Sequence, residues 1–336
     1  MSATLERPEP RATEIRRSGG LRATLRRNAW TLGLVGILAA LLVVAKLVNP
    51  NYGPPGIQGL AISVLPLAFA AVAQAIAVIA RGIDLSVGSM MALTSVIAAT
   101  LMDERSEGFA VAVAIGVILL GFVLGVINGS LIVITRVPDI VVTLAMLFVW
   151  AGAALLVLST PGGGSAEWLR GLTLGPFLNE WIPKAAVVLF VVVAVLWIPI
   201  RRSRLGLSLY AIGSDPLAAY RSGVSVNRTK ILAYGLTGLF SAIAGLSLTA
   251  STGIGTPVPG PYTLMSVAAV VLGGVSLAGG SGGILGPIIA VVILSLLRGI
   301  MTFLGVDTNL ATVAQGLILV GVVMVSSLLQ LRRQKT

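Results

Sequence analysis

Residues 60–102 read "LAISVLPLAFAAVAQAIAVIARGIDLSVGSMMALTSVIAATLM". Residues 60–80 carry no charge, and then Arg81, Gly82, Asp84 and Gly88 arrive within eight positions before the apolar pattern resumes. A run of about 20 apolar residues matches a hydrocarbon layer of about 30 Å. Charge inside that layer is costly, so Arg81 and Asp84 mark a turning point between two spans rather than lipid-facing chain. The stretch therefore reads as span, charged break, span.

The bulk composition extends this reading to the whole chain. Of 336 residues, 56% are hydrophobic and 10% charged, with mean hydropathy +1.00. Soluble domains carry about 25% charged residues, so this chain cannot coat a water-facing surface. Cysteine and histidine are both absent. Their absence excludes disulfides, thiol catalysis and the usual ligands of zinc, haem and iron–sulfur clusters.

Ten spans are predicted, at 29–49, 57–80, 88–102, 109–134, 139–158, 183–200, 231–250, 263–278, 284–303 and 309–329. The third and eighth are short, and one of them is expected to be re-entrant or broken. The first is too long for a signal-peptide core and is read as retained. Residues 1–28 form a basic tail, 29–330 the membrane domain and 331–336 a short C-terminal tail.

Net charge of +11 raises the question of nucleic acid, but its placement answers it. With both termini in the cytoplasm, eighteen lysines and arginines fall on the cytoplasmic side. They include Arg7, Arg11, Arg16, Arg17, Arg22, Arg26 and Arg27 of the tail. Only Lys46, Arg105, Arg170 and Lys184 fall outside, and Arg298 lies within a span. This is the positive-inside pattern of a membrane protein, not a nucleic-acid footprint. The same topology puts the 159–182 loop outside and the 201–230 loop inside.

No lysine follows a glycine, so no phosphate-binding loop of the Gly-Lys-Ser/Thr kind is present. The only aspartates near membrane depth are Asp84 and Asp139, both at expected cytoplasmic ends. A gradient-driven carrier usually keeps carboxylates or histidines deeper, as proton relays. Energy for uphill transport is thus expected from another subunit. Within the inner loop, "GSDPLAAYRSGV" (213–224) has the signature of a short helix. Ser214 or Asp215 suits the cap, Pro216 the first helical position and Gly223 the terminator. Two readings stand for this loop: an inert solvated connection, or a surface that a partner can push.

Three stretches together resemble the ribose/xylose/galactoside permease family of bacterial ABC sugar importers. They are "GIDLSVGSMMALT" (82–94), "LGLSLYAIGSDPLAAYRSGVSVNRTKILAYGLTGLFSAIAG" (205–245) and "AAVVLGGVSLAGGSGGILGPIIAVVIL" (268–294). The resemblance implies an all-α, polytopic permease with a cytoplasmic coupling helix, resident in the bacterial inner membrane. It implies a cytoplasmic ATPase partner, an extracytoplasmic sugar-binding protein and a second permease subunit, identical or similar. ATP then belongs to the partner, and the chain holds no cofactor, metal or catalytic residue of its own. Coupling falls on Gly213, Ser214, Asp215, Ala218, Ala219 and Gly223. The family's Glu-Ala-Ala-x-x-x-Gly pattern maps there with Leu217 in place of the glutamate.

For the break itself, the resemblance implies a mobile helix junction at Arg81, Gly82, Asp84, Ser86 and Gly88, near the cytoplasmic mouth. The plainer reading is that Asp84 or Ser86 caps the next span and Arg81 anchors at the interface. Gln74 and Asn128 are the expected pathway-lining residues, since a sugar needs amide and hydroxyl partners. Two rival functions remain at this stage. One is an ion-gradient-driven secondary transporter of small polar solutes. The other is a scaffolding membrane protein whose basic loop binds anionic lipid.

Overall fold

The computed structural model describes residues 29–258 and 260–307, with isolated positions described between 309 and 324. Both expected tails lie outside the described residues, as does most of the expected span 309–329. The named elements among the described residues are all helices: α1 (Ala29–Val48), α2 (Pro54–Ile79), α3 (Val87–Met102), α4 (Glu107–Thr135), α5 (Asp139–Val157), α6 (Glu167–Thr173), α7 (Lys184–Arg202), α8 (Arg204–Ser214), α9 (Pro216–Arg221), α10 (Val226–Thr252), α11 (Tyr262–Leu272) and α12 (Leu285–Phe303). Seven of these are long and apolar enough to cross a membrane, while α3 and α11 are shorter. This is an all-α polytopic membrane protein.

Burial separates the centre from the rim. The most apolar stretches of α2 and α10 are 89% and 83% buried, against 11% for α1 and 17% for α5. The α2–α10 pair is therefore the axis around which α3, α4, α11 and α12 pack, and α1 and α5 face outward. Glycine lets α4 approach the axis. Gly121, Gly125 and Gly129 recur every fourth residue and so share one helix face. A Cβ at Gly125 would strike the Tyr234 carbonyl, and one at Gly238 the Gly121 carbonyl. Small residues at this spacing let membrane helices meet backbone to backbone.

Contacts along α10 set the depth of the shorter helices. Gly245 packs on Met91 and Thr94, and the Ser95 and Thr249 hydroxyls lie 2.9 Å apart. Gly88, two turns before Ser95, is thus level with the middle of α10. Thr263, in the first turn of α11, touches Gly88. From there α11 descends to Leu272, whose carbonyl accepts from Trp30 Nε1 at the start of α1 (3.0 Å). The face where α1 begins is called the lower face below. Both α3 and α11 therefore start at mid-depth with their N-termini together, so the broken-helix expectation applies to both.

Some boundaries differ from the sequence expectation. The eighth span stops at Leu272 rather than 278, because Gly273 packs directly on Gly286 and Pro287 and Gly274 takes φ +79°. The seventh begins at Val226 rather than 231, its polar first turn being helix that extends beyond the apolar run. Within the upper 158–183 segment lies α6, whose first amides donate to Glu107 on α4 (3.1 and 3.3 Å).

Candidate gate and coupling loop

The break begins where α2 ends. Arg81 N donates to Val78 O (2.9 Å) and Gly82 N to Ala77 O (2.8 Å), closing the helix with Arg81 at φ +62°. Glycine usually fills that left-handed position, and a side chain there costs roughly 1–2 kcal/mol. Gly82 follows with no room for a Cβ, which would come within 2.5 Å of Tyr234 Oη and 2.6 Å of Asp139 Oδ2.

Residues 83–86 then climb through the core, held by side chains from three helices. Asp84 is fully buried, and its Oδ1 accepts from Ser86 N (2.8 Å) and Ser86 Oγ (2.6 Å). Asp84 Oδ2 has no hydrogen-bond partner among the described residues. From α2, Gln74 with its amide oriented to suit its neighbours donates to Asp84 O (2.8 Å) and accepts from Asp84 N (3.3 Å). From α4, Asn128 Nδ2 donates to Ser86 Oγ (2.8 Å), while Trp150 Nε1 of α5 donates to Asn128 Oδ1 (3.2 Å). Thr143 of α5 accepts from Leu85 N (3.1 Å). Each such buried bond, if left unmade, costs roughly 1–3 kcal/mol.

This geometry revises two expectations. Gln74 and Asn128 are fully enclosed and bonded to the break in this conformation, rather than facing an open path. Capping of the next span is also different. Ser86 stands at the N-cap position of α3 without a side-chain cap bond, its proton being donated to Asp84. Asp84 makes a local turn onto Ser86 N instead. The first turn of α3 takes its acceptor from another helix, with Gly88 N donating to Thr263 Oγ1 at 3.0 Å.

On the lower face, the short helix α9 forms as its residues dictate. Asp215 Oδ1 accepts from Leu217 N (2.8 Å) and Ala218 N (3.1 Å), and Pro216 opens the helix. Gly223 follows at φ +83°. Leu217 and Tyr220 are 57% and 69% exposed. Ala219 is 5% exposed and belongs to the main core, so it faces inward and not toward a partner as the sequence reading had it.

Gly213 is also buried, while Ser214 is exposed with its hydroxyl donating to Tyr210 O (2.9 Å). A Cβ on Gly213 would overlap Ile79 O and Gly280 N, which themselves share a 3.0 Å hydrogen bond. Ser214 lies against Gly280, and Gly279 (φ +86°) against Arg81 and Gly213 O. Tyr210 of α8 adds a bond from its hydroxyl to Gly282 O (3.0 Å). Burial raises the Tyr210 pKa, with Arg201 pulling the other way, so the phenol stays a donor. Two of the sequence stretches that resemble one family, at the end of α8 and in the 273–284 loop, thus meet the end of α2 just before the other begins at Gly82.

Beside this junction, Asp139 at the start of α5 pairs with Lys230 Nζ (2.7 Å) and accepts from Tyr234 Oη (2.7 Å). A cleft of about 260 Å³ adjoins it, lined by residues 81–83, 138–140 and Leu277. Lys230, Tyr234, Thr143, Trp150 and Thr263 were not singled out as members of this assembly by sequence reasoning. Each is an ordinary residue whose partner lies far away in the chain, and only a visible polar atom inside an apolar run hinted at Thr143.

Comparison with known proteins agrees with the architecture. The family described as "Branched-chain amino acid transport system / permease component" matches residues 56–325. The ribose import permease protein RbsC of Escherichia coli K12 is 30% identical over 314 residues, 89% of this chain and 95% of that protein. The autoinducer 2 import system permease protein LsrD of the same strain is 30% identical over 324 residues, 92% and 95% of the two chains. No solved structure gives a significant match. A multi-pass helical chain, similar along nearly its whole length to import permeases, is a transport permease of the bacterial inner membrane; it belongs to the family of branched-chain amino acid transport system permease components.

Proposed function

We propose that this chain lines the solute pathway of an ATP-driven importer, with the lower face in the cytoplasm and both termini there. The excess of lysine and arginine on lower-face loops supports that orientation. A cytoplasmic ATPase would dock on the exposed Leu217 and Tyr220 of α9, and an external binding protein would deliver the solute from the upper side. A second permease subunit, identical or similar, would complete the pathway.

One observation carries the coupling part of this reading: Gly213, three residues before α9, is packed against Ile79 O and Gly280 N. A displacement of α9 would reach the break through backbone atoms in van der Waals contact, with no flexible side chain to absorb it. The solute class is a sugar or a comparably hydroxylated molecule, by analogy with the ribose and autoinducer 2 permeases. The chain's own role is passage and gating, with ATP chemistry on the partner and no cofactor here.

The test is reconstitution in proteoliposomes with the cognate ATPase and binding protein. Uptake that requires ATP and both partners supports the proposal. Uptake driven by an ion gradient without ATP would replace it with the carrier reading. In whole cells, Tyr220→Cys and Leu178→Cys in this cysteine-free chain should label from opposite sides, since both positions are exposed.

A further inference from the structure

We infer that Asp139, Lys230 and Tyr234 form a latch that fastens the lower end of the 80–86 break, and that its release opens the path toward the lower face; this rests on the transport reading above. Both oxygens of Asp139 are engaged, Oδ1 by Lys230 Nζ and Oδ2 by Tyr234 Oη, each at 2.7 Å. The Asp139 side chain is 13% exposed and that of Lys230 25%, so water competes only weakly for the pair. Asp139 is also the first residue of α5, where unpaired amides favour an anion.

The latch joins three pieces: one turn above it Thr143 of α5 already bonds the break, donating to Ile83 O (3.2 Å) and accepting from Leu85 N (3.1 Å), and the Asp139 cluster adds α10 to that pair. Asp139 belongs to α5, while Lys230 and Tyr234 lie in the lower part of α10. Gly82 is seated on Tyr234 Oη and Asp139 Oδ2 so closely that no Cβ fits. Beside this contact the packing leaves a cleft of about 260 Å³, lined by residues 81–83 of the break and 138–140 at the start of α5. Leu277 forms another wall of that cleft, and its loop continues to Gly279 and Gly280, which touch Gly213. A push on the coupling loop thus arrives at the cleft wall, and the ion pair beside it, among the described residues, is that of the Asp139 cluster. These residues act as positioning residues, holding the break rather than binding solute.

The measurement needs neither ATPase nor solute, so its outcome is separate from that of the transport test. With Ile83→Cys as the sole thiol, modification by a membrane-impermeant maleimide is followed in purified protein in lipid nanodiscs. Lys230→Met and Asp139→Asn should each raise the modification rate about tenfold, as expected when a part-buried pair loses a partner. Tyr234→Phe should raise it less, and Lys230→Arg should restore the parent rate. A Leu178→Cys reporter on the opposite face should be indifferent to all four changes. Parent-like rates in Lys230→Met, Asp139→Asn and Tyr234→Phe would overturn the latch. An equal increase at the Leu178 reporter would also overturn it, by showing general loosening in place of local release.

Discussion

Gly88 N donates to Thr263 Oγ1 across 3.0 Å, joining the first turns of two helices 175 residues apart in the chain. The bond does for α3 what its own N-cap Ser86 does not, because the Ser86 hydroxyl is committed to Asp84. A helix that begins at mid-depth has no water to satisfy its first amides, so a borrowed acceptor is the available solution.

Thr263→Val keeps the shape and removes that acceptor. We expect a loss of about 1–2 kcal/mol in stability, as for a lost cap, seen as a lower midpoint of thermal unfolding in detergent. Thr263→Ser should be close to the parent. Gly88→Ala should be the more harmful change, because its Cβ would lie 2.5 Å from Thr263 Oγ1. Combining it with Thr263→Ala should recover part of the loss, and purely additive effects would count against this contact.

Asp84 separates charge from hydrogen bonding. Asp84→Asn retains an oxygen to accept from Ser86 N and Ser86 Oγ, the bonds that shape the turn. Folding and uptake should therefore survive it. Asp84→Ala leaves the Ser86 amide without its acceptor in a buried site, at a cost of roughly 1–3 kcal/mol. Loss of uptake in Asp84→Asn at normal membrane abundance would assign the negative charge a role in transport itself.

Gly213→Ala forces a methyl into Ile79 O and Gly280 N, both backbone atoms that cannot swing aside. The exposed side of α9 is unaltered. ATPase association should persist while solute uptake falls, which is the signature of uncoupling. Pull-down of the ATPase together with uptake in the same vesicles distinguishes this from loss of docking, where both would fall.

Substitutions on α9 should divide by face. Ala219→Arg inserts a charge into the core and should lower the amount of folded protein, because Ala219 is 5% exposed. Leu217→Arg and Tyr220→Ala lie on the exposed side and should leave abundance unchanged while weakening ATPase binding. Gly223→Val should cost roughly 1–2 kcal/mol from its positive φ alone, since the space around it is open. Quantitative immunoblotting against pull-down yield separates the three classes.

The membrane helices were legible because an apolar run between charges or Gly–Pro clusters has few alternatives in a bilayer. The break was legible for the same reason, since Arg81 and Asp84 cannot be lipid-facing. Direction within a six-residue helix was not, as Pro216–Arg221 is too short to show a periodic face, and so Ala219 was assigned outward. Polar residues inside spans were visible but their partners were not. Gln74 and Asn128 look the same in sequence whether they meet a solute or a neighbouring backbone. Lys230 is 91 residues from Asp139, and no local pattern announces such a pair.

Gly121, Gly125 and Gly129 have one more consequence. Helices that meet backbone to backbone cannot roll past one another, because the flanking side chains would have to cross carbonyl oxygens. The α4–α10 pair should therefore travel as a single stiff beam. Bending is then displaced to places where the described chain leaves the helix beside this pair, residues 80–86 and 253–258. A permease built this way resembles a rocker with a fixed keel and soft joints beside it.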